Sequence, residues 1–382
     1  MEGLDLNVDE RRAVGVGHHE RAPGAAPRPR WAGAIPVPLL VGALCLAVAA
    51  AVNAVVLHQT GLSGDEPYYT AIAGHPAGPH NFPYAFRIGV PYLVHVLPFG
   101  QAFSWELLAL LATGGAGGAM YALLREFEID DRLAVGLALA FCLSPPLLDV
   151  LLRNGRELDA AAILLITLGC LWIVQRRRVA LAVTLLIGAT VHESCLFLVP
   201  LAYAVWAERA FDLRALRDVA AVAIVPLALY AYLRLSIVAV GEAYQPGYTG
   251  SFFGGRLDVL RDALTHGGWH LELRRIALVY GPLWLAAPLA LRKLPFARRG
   301  LVLVVLCVAS MTYAIDWDRM IFFAAPVFYV AAAYVVRERR RLAAVTVIAL
   351  LAMDAGYAVY MQVHGVRHGI DSTGPPARGP VY

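Results

Sequence analysis

Residues 179–206 read VALAVTLLIGATVHESCLFLVPLAYAVW. The stretch is apolar at both ends and interrupted near its middle by His192 and Glu193. It can form one long helix or two short helices turned back on each other, and the choice decides which way every later segment faces. As a single helix it would place RKLPFARR (292–299) and RERRR (337–341) outside the cell. As a hairpin it places both inside, together with QRRR (175–178) and ERAFDLRALR (208–217). Short loops rich in Arg and Lys stay on the cytoplasmic side of a membrane, so the sequence predicts a hairpin. Each arm has about 12 or 13 residues, roughly 18–20 Å of helix. A hydrocarbon core is about 30 Å thick. The turn at His192 and Glu193 is therefore expected below the outer surface, against a water-filled cavity or other protein groups.

The same apolar character runs through the chain. Of 382 residues, 59% are hydrophobic and 16% charged, against about 25% charged in soluble domains. Apolar runs at about 35–57, 103–124, 133–148, 158–174, 179–191, 194–206, 219–240, 276–291, 300–314, 320–336 and 342–360 predict an all-α, polytopic transmembrane bundle of about eleven membrane helices. Runs such as LAVTLLIGA lack the alternation of a membrane β-barrel. The expected organisation is a disordered cytoplasmic tail (1–34), a multi-span membrane domain (35–360) and an extracytoplasmic C-terminal tail (361–382). No stretch outside the membrane is long enough to bury a core of its own, and no paired broken spans mark an inverted-repeat transporter. The five cysteines all sit in apolar segments without Cys-x-x-Cys spacing, and read as small buried hydrophobes. No basic patch interleaved with aromatics points to nucleic acid. The glycines of TGGAGG (113–118) read as close helix packing.

On this map the long segment 58–102 is extracytoplasmic, as are the turns 149–157, 241–275 and 315–319. The polar residues on that side are Asp65, Glu66, His75, His80, Arg87, Asp149, Arg153, Arg156, Glu157, Asp159, Glu193, Asp316, Asp318 and Arg319. Any chemistry is expected there. Asp65 and Glu66 open an aromatic loop, DEPYYTAIAGHPAGPHNFPYAFRIGVPYL. One of these carboxylates can serve as a general base beside a cavity of low dielectric, or both can be solvated acids that end a span. NFPYAFRIGVPYL reads as a helix lying along the interface, with Arg87 near its start. Arg87, Arg153 and Arg156 are candidate anion binders, because a guanidinium fork matches phosphate oxygens; snorkelling to lipid headgroups is the plainer alternative. Helical spacing would put Arg153, Arg156 and Glu157 on one face, and an Arg156–Glu157 salt bridge is the simpler reading of that turn. Glu193 is costly at membrane depth and so a functional candidate, or it holds the hairpin by pairing with an outer arginine such as Arg319. His192 shares its position, and Asp316, Asp318 and Arg319 crowd a short outer turn. Tyr244, Tyr248, Phe252, Phe253 and Trp269 read as an interfacial belt, and Leu257, Leu260 and Leu264 as one face of a surface helix.

The order of these features resembles the polytopic GT-C glycosyltransferases. DEPYYTAIA is similar to the Asp-Glu loop of the protein-mannosyltransferase and aminoarabinose-transferase group, and PYAFRIGVPYL to a Tyr-x-x-Arg-x-x-x-Pro pattern in uncharacterised bacterial members. TVHESCLFLVPLAY resembles an intramembrane Arg/Lys-Glu turn, with His192 where a basic residue often stands, and DWDRMIFFAAPV a late Asp-x-x-Arg turn. The resemblance implies a multi-pass enzyme of the inner (plasma) membrane with a cytoplasmic N-terminus. It would move a sugar from a polyprenyl-phosphate-linked donor to an envelope glycan, lipid or protein on the outer face. Asp65 and Glu66 would be the catalytic acids. Arg87 leads the substrate-binding set, joined by Tyr68, Tyr69, Arg153, Arg156, His192, Glu193, Asp318 and Arg319. Besides the donor, the expected partners are membrane lipids, with no nucleic acid. The sequence names no cofactor and leaves a divalent metal near Asp65 open. A transporter or flippase of a lipid-linked or anionic substrate, or a non-catalytic envelope assembly protein, are the alternatives.

Overall fold

The computed structural model describes residues 36–56, 65–152, 155–240, 269–312 and 317–364. The expected N-terminal tail, residues 365–382 of the expected C-terminal tail, the belt and surface-helix residues within 241–268, Arg153 and Asp316 lie outside these residues; Trp269 starts a helix, and residues 361–364, expected in the tail, continue the last helix. The features below lie in the unit Pro38–Tyr382.

The described residues are helical, with no β-strand among them. In chain order the elements are α1 (Val37–Val55), α2 (Glu66–Gly74), a 3-10 turn (Tyr84–Phe86), α3 (Gly89–Val96), α4 (Gln101–Glu126), α5 (Asp131–Cys142), α6 (Pro145–Leu152), α7 (Asp159–Val174) and α8 (Arg178–Val191). A second 3-10 turn (Glu193–Phe197) leads to α9 (Leu198–Trp206) and α10 (Leu213–Ser236). Then follow α11 (Trp269–Tyr280), α12 (Leu283–Ala286), a third 3-10 turn (Ala287–Ala290), α13 (Pro295–Ser310), α14 (Trp317–Phe322), α15 (Ala325–Val336) and α16 (Arg340–His364).

By length and composition, α1, α4, α10 and α16 can each cross a bilayer. The bent pair α5–α6 would make a fifth. The predicted apolar runs fall on helices, but several are not single spans. Residues 133–148 are divided between α5 and α6, which meet at 47°. Pro145 and Pro146 start the second helix there, because a proline ring has no N–H to continue the first. Residues 276–291 are divided at Gly281-Pro282, where Gly281 has φ +47°. Residues 320–336 are divided between α14 and α15, and α15 begins at Ala325-Pro326.

The stretch 179–206 is a hairpin. A Cβ on Gly188 would meet the Cβ of Cys195 at 2.5 Å; seven residues of straight helix would hold them about 10 Å apart. Trp206, at the end of α9, donates its indole N–H to the carbonyl of Ile173 at 2.9 Å, near where α8 begins. The two arms therefore share one end and the turn lies at the other.

Side-chain contacts define those two ends. Trp206 and Ile173 mark the first. There Arg178 pairs with Asp218, Arg299 donates to the Val205 carbonyl, Arg337 donates to the Phe127 carbonyl at 3.2 Å, and Gln175 donates to Glu126 at 2.6 Å. The loops 175–178, 208–217, 292–299 and 337–341 gather here, and this is the arginine-rich end. Asp65, Arg87, Glu157, Asp159, Glu193 and Arg319 gather at the other.

Small residues let the helices approach, which is how membrane bundles pack without a hydrophobic drive between them. A Cβ on Gly118 would meet the carbonyl oxygen of Pro38 at 2.6 Å, and one on Gly117 would meet the sulfurs of both Cys45 and Cys142. All five cysteines are buried and free. The core is otherwise aromatic and aliphatic, with Trp105, Tyr280, Tyr329, Phe141 and Phe322 among its largest buried side chains.

Candidate functional site

Local backbone brings the residues at this end of the bundle together. Asp65 sits at the N-cap position of α2, yet its side chain makes no cap hydrogen bond. A cap is the usual work of an Asp in that place. Instead its Oδ1 accepts the Tyr84 hydroxyl at 2.7 Å, and its Oδ2 accepts from Arg319 at 3.1 Å. Pro67 in the first turn of α2 presets the backbone there. Gly155, with φ +67°, turns the chain between α6 and α7 where a Cβ would strike the Trp105 carbonyl oxygen at 2.9 Å. That turn delivers Glu157 and Asp159 to the same arginine. Arg319 Nη1 donates to Glu157 Oε2 at 2.9 Å and to Asp159 Oδ2 at 3.0 Å. Three carboxylates thus converge on one guanidinium.

A second ion group lies beside it. Arg87 leaves the first 3-10 turn and donates through Nε and Nη2 to the two carboxylate oxygens of Glu193, at 3.0 and 2.6 Å. This fork-to-fork arrangement is the strongest geometry for such a pair. Its Nη1 donates to the Tyr69 hydroxyl at 2.7 Å. Gly89 makes the meeting possible, because a Cβ there would lie 2.5 Å from Thr190 Oγ1 at the end of α8. Arg234, near the end of α10, reaches Glu193 only at 3.8 Å. Its guanidinium lies 4.3 Å from the Phe86 ring centre, 5.1 Å from Tyr230 and 6.0 Å from Phe82, within the range of cation–π attraction. Its Nε is buried without a hydrogen-bond partner among the described residues.

Tyr84 joins the two groups. It stacks on Tyr68 with ring centres 4.7 Å apart, meets Tyr69 edge-on at 5.1 Å, lies 5.7 Å from the Arg87 guanidinium and holds Asp65 by its hydroxyl. Burial pushes the Tyr69 hydroxyl well above the ordinary phenol range, and nearby Asp65 adds to this against the opposing pull of Arg87. Burial alone would lower the Arg87 pKa, but Glu193 and Tyr69 outweigh it and raise it well above the ordinary value. At neutral pH the link is therefore a charged guanidinium donating to a neutral phenol.

Most of the expected site residues converge, with corrections. Glu193 pairs with Arg87 and not with Arg319, because Gly89 brings the loop onto the hairpin turn while Arg319 is engaged by Glu157, Asp159 and Asp65. No helix carries Arg156 and Glu157 on a shared face, since Gly155 breaks the backbone before them. Arg156 is half-buried with no ion pair among the described residues. His192 is 4% exposed, and its Nδ1 accepts the Ser194 N–H at 3.2 Å. It caps the turn and packs against Phe323, so it helps hold Glu193 in place. Glu66, next to Asp65 in the chain, is wholly buried, and Asp318 lies half-exposed one residue before Arg319. Arg87 begins no interfacial helix; it follows the 3-10 turn, and α3 starts two residues later. The sequence reading missed Arg234, and it carried Tyr84 only as the tyrosine of the Tyr-x-x-Arg pattern, without a role. A lone arginine near the end of the apolar run 219–240 was the signal for the first.

The first ion group is acidic on balance and the second basic, and they share a tyrosine. Together they offer an anion contact at Arg234 and a carboxylate at Asp65, linked through Glu193, Arg87, Tyr69 and Tyr84. Among the described residues no group of three or more His, Cys, Asp or Glu is arranged to hold a metal ion. Comparison with protein-family models and with curated proteins returns no match.

Proposed function

We propose that this chain is a GT-C-like glycosyltransferase of the inner membrane, with about eleven membrane segments, a cytoplasmic N-terminus and an extracytoplasmic site. It moves a sugar from a polyprenyl-phosphate-linked donor to an envelope acceptor. The observation that carries the reading is the meeting of Asp65 and the Glu193 turn, 128 positions apart in sequence, through Tyr84, Arg87 and Tyr69 at one end of the bundle. The gathering of the arginine-rich loops at the opposite end supports the orientation.

In the proposed reaction the acceptor oxygen attacks the anomeric carbon and the bond from that carbon to the phosphate oxygen breaks. The hydroxyl proton passes to Asp65, and polyprenyl phosphate leaves. A carboxylate oxygen accepts more than one hydrogen bond, so an acceptor hydroxyl can join Tyr84 at Asp65 Oδ1. Arg234 carries the leaving phosphate better than Arg87, because the Arg87 fork is filled by Glu193 and Tyr69. Arg87 instead holds the loop that presents Tyr84. Fixed positive charge at the departing oxygen lowers the barrier, and holding donor and acceptor together removes much of the entropic cost.

The test is transfer of labelled sugar from a polyprenyl-phosphate donor in membranes holding equal amounts of each protein. Asp65→Asn and Arg234→Ala are expected to reduce product by at least about a hundredfold, the scale of one lost general base or one lost charge-stabilising group. Full activity in both would overturn the assignment. Movement of the lipid across vesicles without covalent change would identify a transporter instead.

A further inference from the structure

On the half of the bundle towards the arginine-rich end, a groove of about 580 Å³ runs between α1, α4 and α7. Ligand sites generally fall between about 300 and 1,000 Å³. Gly42, Leu46, Gly114, Gly115, Leu168 and Trp172 line it. Where a side chain would stand on α4, glycine leaves space, and a Cβ on Gly115 would already crowd Leu164 at 3.2 Å. The lining is apolar until the mouth, where Gln175 and Arg177 stand.

The mouth is charged in a way the groove needs explained. The Arg177 guanidinium is exposed, lies 5.5 Å from the Trp172 ring centre, and has no ion-pair or hydrogen-bond partner among the described residues. Arg176 beside it is likewise exposed and unpaired. Arg178 differs, being paired with Asp218. Of the carboxylates near this loop, Glu126 accepts from Gln175 and Asp218 pairs with Arg178. An apolar slot at membrane depth thus ends on two uncommitted cations.

We infer that this groove holds an acyl chain of an anionic phospholipid, with the lipid phosphate on Arg177. Basic pockets between membrane helices take anionic headgroups in this way. The occupant is a lipid and not a free phosphate, because the apolar lining supplies most of the contact surface. The site lies at the end opposite Asp65 and does not depend on the transfer reaction.

The test uses the full chain, stripped of lipid in detergent and offered phosphatidylglycerol or phosphatidylcholine, with retained lipid counted by native mass spectrometry. Phosphatidylglycerol is expected to be retained over phosphatidylcholine by about fivefold or more, the effect of one arginine at a membrane surface. Arg177→Ala, an exposed change, should remove that preference and leave phosphatidylcholine retention unchanged. Ala43→Trp fills the groove from an exposed position on α1 and should reduce retention of both lipids. Equal retention of the two lipids by the unaltered chain would overturn the inference. So would a preference that survives Arg177→Ala, or retention unaffected by Ala43→Trp in a chain that melts normally, since each means annular lipid only. Inorganic phosphate should not raise the melting temperature; a rise equal to that given by phosphatidylglycerol would overturn the lipid assignment.

Discussion

Arg87 and Arg234 show how little a residue type says by itself. Both are arginines near the same carboxylate, yet one is saturated by a bidentate partner and a phenol while the other is held by aromatic faces with a donor unused. Three single-residue outcomes follow. Gly89→Ala places a methyl 2.5 Å from Thr190 Oγ1 and is expected to cost about 1–3 kcal/mol, as overpacking does, and to lower transfer by loosening Arg87. Gly74→Ala, where a Cβ meets nothing within 4 Å, should leave the melting temperature unchanged and serves as the control. Asp354 behaves in the opposite sense. It is 2% exposed on α16, and neither carboxylate oxygen has a hydrogen-bond partner among the described residues. A buried polar group without a partner costs about 1–3 kcal/mol, so Asp354→Leu should raise the melting temperature in detergent. A fall would mean that the carboxyl is satisfied after all.

At the scale of elements, the hairpin of α8 and α9 presents Glu193 to the loop and is held there by one pair. The side chains of Arg87 and Glu193 are 12% and 19% exposed. Removing one member of a pair this far from water leaves an uncompensated charge, so Glu193→Ala should destabilise by about 3 kcal/mol. Arg87→Leu combined with Glu193→Leu should cost less than the two single changes added together, which a double-mutant cycle of melting temperatures reads directly. Additive losses would show that the pair holds nothing. The arms are short, 14 residues in α8 and 9 in α9. At 1.5 Å per residue, α8 spans about 21 Å, less than a bilayer core, so the acid at the turn depends on the Arg87 pair to offset its burial.

For the whole molecule, sidedness is the property that the proposed function needs. The native cysteines are all buried, so introduced ones can be labelled against a quiet background. Ala77→Cys lies exposed in the Asp65 loop and Arg209→Cys exposed at the arginine-rich end. A membrane-impermeant maleimide should label the first in intact cells and the second only in inverted vesicles. Labelling of both from one side would remove the orientation and, with it, an outer-face transferase.

The sequence by itself determined the helical class, the places of the apolar runs, the glycine packing of α4 and the turn at His192. Each of these depends on local periodicity, on side-chain size or on the distribution of arginine along the chain. It also marked Asp65, Arg87, Glu193 and Arg319 as residues to bring together. Only the tertiary structure decided the pairing, giving Arg87 to Glu193 and Arg319 to Asp65, Glu157 and Asp159, and it alone revealed Arg234 and the contacts of Tyr84. An ion pair depends on distance between residues far apart in the chain. That distance is set by close approaches such as Gly89 on Thr190, which no pattern of neighbouring residues records.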